Sequence, residues 1–421
     1  MTAASKHHQM PERVIIVGAG IVGLSCAFSL QDYGIEVTVL DRKQPGAGSS
    51  WQNAGLLAPA LTVPLPEPTI LRYGLKALIS PGSPVAIAGR LDPRLVRFAS
   101  SLMRHCTTAR WRRGMAAYRP LNEQVAESYE QQVSGGVRAE VTRSDILSCF
   151  AGDDQRHALV HELELLLSTS APVKIDLLTG AEARQAEPHL SDQITAAVRI
   201  IGQQYITPSK YVTALADQVS RRGGRMIPRA EVTRVTRRSS LVVASGHEAE
   251  WEADAAVLAT GAWLSKLARA HGVRVPVFGG RGYSFTVPCT PPLTAPVHFP
   301  AARVAATPQG GRLRVTGVME FGAPDAPPRA SRIEAVLQAV GPLLRDVGWE
   351  ARADDWMGAR PLSSDGVPLV GTSRTPGVYV AGGHGMWGVT LGPLTGSLLA
   401  RQIATGEIPA ELAPLDPCRH P

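Results

Sequence analysis

The chain has 421 residues, of which 44% are apolar, and it contains 41 glycines and 33 prolines. This length exceeds that of a usual single core, so two domains are expected, and the composition is typical of a turn-rich α/β enzyme rather than a disordered chain. The formal net charge of +7 is spread thinly, and the densest basic run, residues 221–238, lacks aromatic residues that could stack on bases. No nucleic-acid partner is therefore predicted.

The five cysteines lie far apart without a CxxC pair, and the histidines show no ligand spacing. Neither a metal site nor a disulfide framework is predicted, and a reduced, cytoplasmic setting is expected. No signal-peptide pattern and no run of about 18 uncharged apolar residues occur, so no membrane span is expected. The basic surface leaves peripheral attachment to the inner face of the membrane open.

The first predicted element is a βαβ unit. An apolar strand at 14–17 leads into Gly18, Gly20 and Gly23, which open a helix, and a second strand ends at Asp41. Glycines here let the backbone approach a pyrophosphate, and the helix N-terminus favours its negative charge. A carboxylate at the end of the second strand can accept bonds from ribose hydroxyls. The unit therefore predicts a dinucleotide site.

The middle of the chain, roughly 62–204, is rich in proline and in helical periodicity. It includes predicted helices at 93–105 and 156–167, and a further helix begins near Thr207. Nothing in this stretch resembles a second nucleotide motif.

The later elements return to strands. Strands are predicted at 231–235 and 255–258, and alternating segments at 283–287 and 313–318 indicate an antiparallel sheet. The chain then finishes with an apolar strand at 378–381 and a helix at 391–404.

This alternation predicts a Rossmann-like cofactor domain that the chain enters three times, over 10–65, 205–265 and 352–415. A substrate domain is inserted twice, over 66–204 and 266–351. The predicted fold class is α/β, with an α+β substrate domain built on an antiparallel sheet.

Three loops favour a flavin over a nicotinamide cofactor. Residues 49–56 (SSWQNAGL) form a polar, small-residue loop after the second strand, and residues 259–263 (ATGAW) follow another buried strand. Residues 382–390 (GGHGMWGVT) join a strand to a helix, where backbone N–H groups can meet a flavin carbonyl.

With these motifs, the sequence resembles the D-amino-acid oxidase superfamily of flavoproteins, and within it most closely the bacterial D-amino-acid dehydrogenase branch. The resemblance covers nearly the whole chain. Its markers are the N-terminal glycines and residues 53–55, 282–284, 358–361, 365–366 and 383–385, with a dehydrogenase-like segment at 68–106. At Ala359 and at Met386–Trp387 the chain differs from the sequence that is common in this branch, which leaves the identity of the substrate open.

The resemblance implies FAD as the cofactor. Non-covalent binding is expected, since no cysteine or histidine stands at a recognisable attachment position. The residues that the resemblance assigns to FAD are Gly18, Gly20, Ile21, Val22, Gly23, Asp41, Arg42, Ser49, Ser50, Asn53, Ala54, Gly55, Leu56, Val232, Thr260, Gly261, Trp263, Gly358, Gly383, His384, Gly385, Gly388, Val389 and Thr390.

Arg360 matches the arginine that grips the substrate carboxylate in this superfamily. A planar guanidinium suits bidentate recognition of a carboxylate. The alternative is an ordinary ion pair with a neighbouring acid, namely Asp354, Asp355 or Asp365.

Two further residues are candidates for the catalytic site. Tyr283 is expected either in the substrate pocket or as a strand residue with one buried face. His384 is expected either as an acid or base or as a histidine that fixes the backbone.

The implied reaction is oxidative deamination of a small amino-acid or amine substrate, expected to be a D-amino acid. A hydride would pass from the alpha carbon to flavin N5, the imine would hydrolyse to a 2-keto acid and ammonia, and electrons would pass to a quinone or another acceptor. Three alternatives stay open: a glycine- or sarcosine-type oxidase using oxygen, a proline or hydroxyproline dehydrogenase, and a non-catalytic nucleotide-binding protein. A flavin hydroxylase is disfavoured, because it would usually carry Gly-Asp where this chain has Gly-Gly-His-Gly.

Overall fold

A computed structural model describes residues 9–68, 85–87, 92–152, 156–157, 159–160 and 173–420. The strands are β1 (Arg13–Val17), β2 (Glu36–Asp41), β3 (Leu56–Leu57), β4 (Val85–Ile87), β5 (Val141–Phe150), β6 (Ile175–Thr179), β7 (Ala196–Ile206), β8 (Arg225–Pro228), β9 (Arg234–Arg238), β10 (Leu241–Ser245), β11 (Glu250–Ala253), β12 (Ala255–Leu258), β13 (Val277–Pro288), β14 (Val297–Phe299), β15 (Val304–Gln309), β16 (Arg312–Phe321), β17 (Ala353–Ser363), β18 (Leu369–Thr372) and β19 (Val378–Gly382).

The described helices are α1 (Ile21–Gln31), α2 (Pro93–His105), α3 (Thr108–Asn122), α4 (Val125–Ser134), α5 (Gly180–Ala186), α6 (Pro208–Arg221), α7 (Leu264–Ala268), α8 (Ala330–Val340) and α9 (Gly388–Thr405). The helix predicted at 93–105 is confirmed as α2. Most of the one predicted at 156–167 lies outside the described residues. Within the described part of the chain, no helix is both long enough and apolar enough to cross a bilayer.

The first sheet has six strands in the order β18-β19-β12-β1-β2-β8. Its strands are parallel except for β18, which pairs antiparallel with β19. The predicted βαβ unit is confirmed as β1, α1 and β2, and α1 packs on the C-terminal helix α9. A Cβ on Gly396 would overlap the backbone of Ser25, so a glycine is what allows the two helices this close approach.

The second sheet has ten strands, with β17-β13-β16-β15-β14-β5-β7-β3 in order, β4 beside β16 and β6 beside β7. The pairing of β13 with β16 and β17 is antiparallel, which confirms the sheet predicted from the alternating segments. Helix α8 covers one face of this sheet, where Ile333 and Val336 pack with Phe285 and Val315 in one buried core. The opposite face of these strands is free to line a site.

Two details differ from the sequence-based expectations. The segment 353–363 was assigned to the cofactor domain, but as β17 it pairs along β13 in the ten-stranded sheet. The strand expected at 231–235 begins at Arg234 and forms a small antiparallel sheet with β10 and β11.

Candidate active site

A cavity of about 350 Å³ lies between the two sheets, lined by residues of both. One end, here called the glycine-turn end, is formed by the turn after β1 together with Asp41 and Val232. The other, here called the sheet end, is formed by residues of β13, β16 and β17, namely Gly282, Thr316, Trp356, Gly358 and Arg360.

The glycine turn is shaped by close backbone contacts that leave no room for a side chain. Gly18 has φ +113°, and a Cβ there would overlap the carbonyl oxygen of Ala259 at the end of β12. A Cβ on Gly23 would overlap the carbonyl oxygen of Gly18. The backbone therefore passes close beneath the cavity at the N-terminus of α1, where its amides can face an anion.

Asp41 ends β2 beside this turn. One carboxylate oxygen accepts the Ala19 N–H at 2.7 Å, and the other accepts the Lys43 N–H at 2.8 Å. Each oxygen keeps a further lone pair, so the carboxylate, which lines the cavity, can still accept ligand hydroxyls.

Hydrogen bonds from its own side chains hold the loop at 49–56 in place. Ser50 Oγ accepts the Ile21 N–H at 3.1 Å, and Asn53 donates to the Ser50 carbonyl at 3.2 Å while accepting the Gly55 N–H at 2.8 Å. A Cβ on Gly55 would overlap the carbonyl oxygen of Ile206. The loop is thus held between α1 and the end of β7.

An ion pair and a hydrogen bond connect the loop between β16 and α8 to the glycine-turn end. Asp325, in the loop between β16 and α8, accepts the Trp263 Nε1–H at 2.7 Å and pairs with Arg42 at 2.9 Å. The Arg42 guanidinium lies 3.8 Å above the centre of a Trp263 ring. Both Arg42 and Trp263 line the cavity, so one carboxylate holds two of its wall residues in place.

Arg360 projects from β17 across the sheet end. A Cβ on Gly282 of the neighbouring strand would overlap its guanidinium, so this path depends on glycine. Its Nη1 donates to the Val318 carbonyl at 3.0 Å, and the described residues supply no carboxylate partner. Burial lowers the pKa of Arg360 to about 10, which still leaves the guanidinium charged at neutral pH.

The three acids considered as alternative partners are engaged elsewhere. Asp365 accepts both Arg419 Nε at 2.8 Å and Arg419 Nη2 at 2.9 Å. Asp355 pairs with Arg352 at 3.2 Å, and Asp354 accepts the Thr286 hydroxyl at 2.6 Å. Arg360 is therefore left with its charge available to a ligand.

His384 lies at the wall of the cavity and is 1% exposed. Its Nε2 lies 2.9 Å from Thr395 Oγ1, whereas its Nδ1 is buried and has no partner among the described residues. Burial lowers the pKa of His384 to about 4, so the ring is neutral near pH 7. A neutral ring can hold one hydrogen bond at Nδ1 but cannot act there as a cationic acid.

Tyr283 lies away from the cavity. Successive side chains on a strand point to opposite faces, so Tyr283 points away from the face on which Gly282 meets Arg360. It is fully buried, and its hydroxyl donates to Glu320 at 2.6 Å and accepts from Arg281 at 2.9 Å. The structure thus places it with the buried strand residues and does not bring it to the pocket.

The structure brings most of the other assigned residues together. The following line the cavity: Gly18, Gly20, Ile21, Val22, Asp41, Arg42, Ser49, Ser50, Asn53, Val232, Thr260, Gly261, Trp263, Gly358, Arg360, His384, Gly385, Gly388 and Val389. Absent from this lining are Gly23, Ala54, Gly55, Leu56, Gly383 and Thr390. Of these, Gly383 lines a small adjoining cavity, and Thr390 donates to the Leu56 carbonyl at 3.2 Å.

Sequence reasoning missed several lining residues, among them Lys43, Glu231, Lys266, Gly282, Thr316, Trp356 and Met386. Thr316 and Trp356 both lie opposite Ser284 in the register of the sheet. The alternation of residues in the sequence indicates which side chains share a face of one strand. Which residues of different strands lie side by side is known only from the pairing register.

The residues present fit a dinucleotide cofactor. The glycine turn offers backbone amides to a pyrophosphate, and Asp41 offers acceptors to ribose hydroxyls. Thr260 Oγ1 and His384 Nδ1 line the cavity, are buried and have no partner among the described residues. Buried polar atoms are normally hydrogen-bonded, so both indicate contacts that a ligand completes. The described residues contain no cluster able to hold a metal ion.

Several solved structures share this fold. Glycine oxidase from Geobacillus kaustophilus superposes with a TM-score of 0.75 at 23% identity, covering 97% of this chain and all of that one. L-proline dehydrogenase from P. horikoshii superposes with a TM-score of 0.69 at 17% identity, covering 97% and 98%. At these identities the likeness shows the fold alone.

Other proteins have a higher sequence identity to this chain than these solved structures do. The D-amino acid dehydrogenase of Cereibacter sphaeroides is 30% identical over 389 residues, which are 90% of this chain and 88% of the relative. That of Methylobacterium nodulans is 31% identical over 412 residues, which are 94% and 96%. The family model described as FAD dependent oxidoreductase matches residues 13–402. With its glycine turn, its cavity and this match over most of its length, the chain belongs to that family of FAD-dependent oxidoreductases.

Proposed function

We propose that this protein oxidises the carbon–nitrogen bond of an amino acid, with preference for the D enantiomer, and passes the electrons to a quinone or dye-like acceptor. The observation that carries the proposal is Arg360, a charged guanidinium at the sheet end without a carboxylate partner among the described residues. Such a group binds a carboxylate through two parallel N–H bonds. The relatives named D-amino acid dehydrogenase support the stereochemical preference.

Bound FAD supplies a two-electron acceptor for the hydride that leaves the alpha carbon. The chain supplies placement. Arg360 fixes the substrate by its carboxylate, and Gly282 leaves the space that lets the guanidinium reach across the sheet. Holding the reacting carbon in one orientation removes much of the entropic cost of reaction.

The charges at the sheet end also act on the substrate amine. The lining carboxylates of the described residues, Asp41 and Glu231, belong to the glycine-turn side, so none of them stabilises an ammonium beside Arg360. A nearby cation and low exposure to water both favour loss of a proton from the substrate ammonium to solvent, which leaves the neutral amine. The neutral nitrogen can then donate electron density as the hydride leaves, and the imine hydrolyses in water to a keto acid and ammonia.

The reaction class is tested by anaerobic flavin reduction. Purified holoenzyme is mixed with matched D- and L-amino acids, glycine, sarcosine and proline, and the loss of flavin absorbance is followed. We expect a D-amino acid to bleach the flavin faster than its L enantiomer. Faster reduction by glycine or sarcosine would instead favour an amine oxidase, and faster reduction by proline would favour an imino-acid dehydrogenase.

The acceptor is tested separately. Turnover should be faster with a quinone analogue or dye than in air alone. Hydrogen peroxide formed in air at the full rate, without added acceptor, would show an oxidase instead.

The attachment of FAD is part of the same proposal. None of the described residues that line the cavity is a cysteine, and the lining histidine, His384, is buried and held by Thr395. FAD is therefore bound without a covalent link. Acid precipitation should release the yellow colour to the supernatant, and colour that stays in the pellet would contradict this point.

A further inference from the structure

A second buried guanidinium lies near the sheet end. Arg314, on β16, is 4% exposed. The hydrogen bonds that Arg314 makes to described residues come from Nη1 and are long: 3.3 Å to Gln52 Oε1, 3.4 Å to Ser284 Oγ and 3.4 Å to the Asp354 carbonyl. Its Nε is buried and has no partner among the described residues. Neutral acceptors therefore satisfy this cation only in part.

Arg314 forms no ion pair within the described part of the chain. The charge of Asp354 acts on it, but that carboxylate accepts the Thr286 hydroxyl at 2.6 Å. Burial lowers the pKa of Arg314 to about 10, and Asp354 acts in the opposite direction, so the guanidinium stays charged at neutral pH. Arginine is almost never fully buried without a paired charge, because the lost hydration is costly.

The sheet register places the two guanidinium groups close together. The Arg360 guanidinium lies against Gly282, and Arg314 Nη1 reaches Ser284 Oγ, two residues further along β13. Residues i and i+2 of a strand share one face and lie about 7 Å apart. Two cations that form no ion pair with a carboxylate of the described residues thus occupy adjacent positions on the same face of β13.

A polar group lies between them. Thr316 faces Ser284 across the β13–β16 pair and lines the cavity. It is 7% exposed, and its hydroxyl is buried without a partner among the described residues. Thr316 and Arg314 lie two residues apart on β16, so their side chains point to the same face of the sheet. Thr316 lines the cavity, whereas Arg314 lies behind this lining. The hydroxyl can donate to a ligand that Arg314 attracts.

We infer that Thr316 and Arg314 form a second subsite, which binds the side-chain carboxylate of an acidic amino acid while Arg360 holds the alpha carboxylate. The substrate class is then aspartate- or glutamate-like. Two or three carbon atoms separate the carboxyl groups of these molecules, so one can bind the Arg360 guanidinium while the other reaches Thr316, with the Arg314 charge behind it. This inference rests on the proposed function, because Arg360 must hold the first carboxylate.

The test compares each acid with its own amide. Anaerobic flavin reduction is measured with glutamate and glutamine, and with aspartate and asparagine, in the enantiomer that the enzyme uses. Acid and amide have nearly the same shape, so their ratio of kcat/KM reports the charge. We expect a preference for the acid of about tenfold or more, since a charged hydrogen-bonding site discriminates strongly against a neutral analogue.

Three variants locate the subsite. Arg314→Met should bring the acid-to-amide ratio close to one, while FAD content and the rate with alanine stay near the wild-type values. Thr316→Val should lower the ratio severalfold, and its FAD content should stay near the wild-type value. Arg312→Met is the matched control: Arg312 lies on the same strand, two residues further from Thr316, and its Nε donates to Thr286 Oγ1 at 3.0 Å. Its acid-to-amide ratio should stay unchanged.

A binding experiment on the wild-type holoenzyme covers the case in which a variant fails to fold. Glutarate and butyrate are titrated while the flavin absorbance spectrum is recorded, and glutarate should bind at least several times more tightly. Equal affinities, or equal use of acid and amide, would overturn the inference and leave Arg314 as a support for the Gln52 loop. If no amino acid reduces the flavin, the proposed function fails instead, and the glutarate titration still decides the subsite.

Discussion

The two ends of the cavity are built in different ways. The glycine-turn end is organised around one βαβ unit, to which both Gly18 and Asp41 belong. The sheet end consists of side chains from three strands that are distant in sequence, with Arg360 crossing Gly282 beside Thr316. A cofactor site can therefore be encoded locally, whereas the proposed substrate site depends on how strands are paired. Changes at one end should alter FAD binding, and changes at the other should alter turnover.

The variant Arg360→Ala is expected to show the largest difference between its effect on turnover and its effect on FAD binding. Removing one partner of a buried charge pair costs about 3–5 kcal/mol, so kcat/KM for an amino acid should fall roughly a hundredfold or more. Arg360→Lys keeps the charge but loses the planar fork, so its loss should be smaller. FAD content, measured from absorbance, should not change.

A matched substrate serves as the control for this variant. An amine without a carboxylate should lose much less efficiency in Arg360→Ala, because it makes no contact with the guanidinium. Equal losses for both substrates would show that Arg360 supports the fold or the flavin and that another cation holds the carboxylate.

Asp41→Ala tests the opposite end. Loss of a hydrogen-bond acceptor that the bound cofactor would bury costs about 1–3 kcal/mol, so the affinity of the apoprotein for FAD should fall by a factor of about five to a hundred. Titration of apoprotein by flavin fluorescence measures this. In FAD-saturated protein, kcat/KM should recover, and an unchanged FAD affinity would mean that Asp41 does not contact the cofactor.

Gly282→Ala probes the sheet end without touching a charge. The added methyl group would overlap the guanidinium of Arg360 and must displace it, so kcat/KM should fall about tenfold for a misplaced binding group. Gly279→Ala, on the same strand, meets its nearest neighbour at 3.4 Å and should have little effect. Similar losses in both variants would point to a general disturbance of β13.

The smallest effect is expected for Asp325→Asn. Its ion pair with Arg42 is half-exposed, and such pairs contribute about 0.2–1 kcal/mol, so FAD should dissociate up to about fivefold faster. Dilution of the holoenzyme with continuous recording of flavin fluorescence measures the rate. A rate equal to that of the wild type would show that the bridge has no part in holding the cofactor.

Much of the cofactor domain could be predicted from the sequence because its signals are local. The apolar strand before Gly18, the glycine spacing and the carboxylate at Asp41 all lie within one unit, and the structure confirms that unit. The loops at 49–56 and 382–390 also reach the cavity, since each follows a strand end of known position.

The sheet end could be predicted only in part. Arg360 was assigned through the family resemblance. For Tyr283 the sequence left a pocket position and a buried strand position both open, and its side chain lies on the opposite face of β13. A shift of one residue reverses the face of every side chain on a strand, and composition does not determine which alternate residues face the cavity. Thr316 and Arg314 carry no local signal at all, because their meaning arises from the register between β13 and β16.

The Asp325 bridge also has a thermodynamic consequence. It joins a loop of the ten-stranded sheet to two residues, Arg42 and Trp263, that would touch the dinucleotide. Coupling of this kind is reciprocal: if docking of the loop strengthens FAD binding, FAD must strengthen docking of the loop by the same factor. Removal of the cofactor should therefore increase amide hydrogen exchange in residues 322–329, a stretch that contributes little to the cavity wall. Bound FAD would then also help to hold the two sheets together.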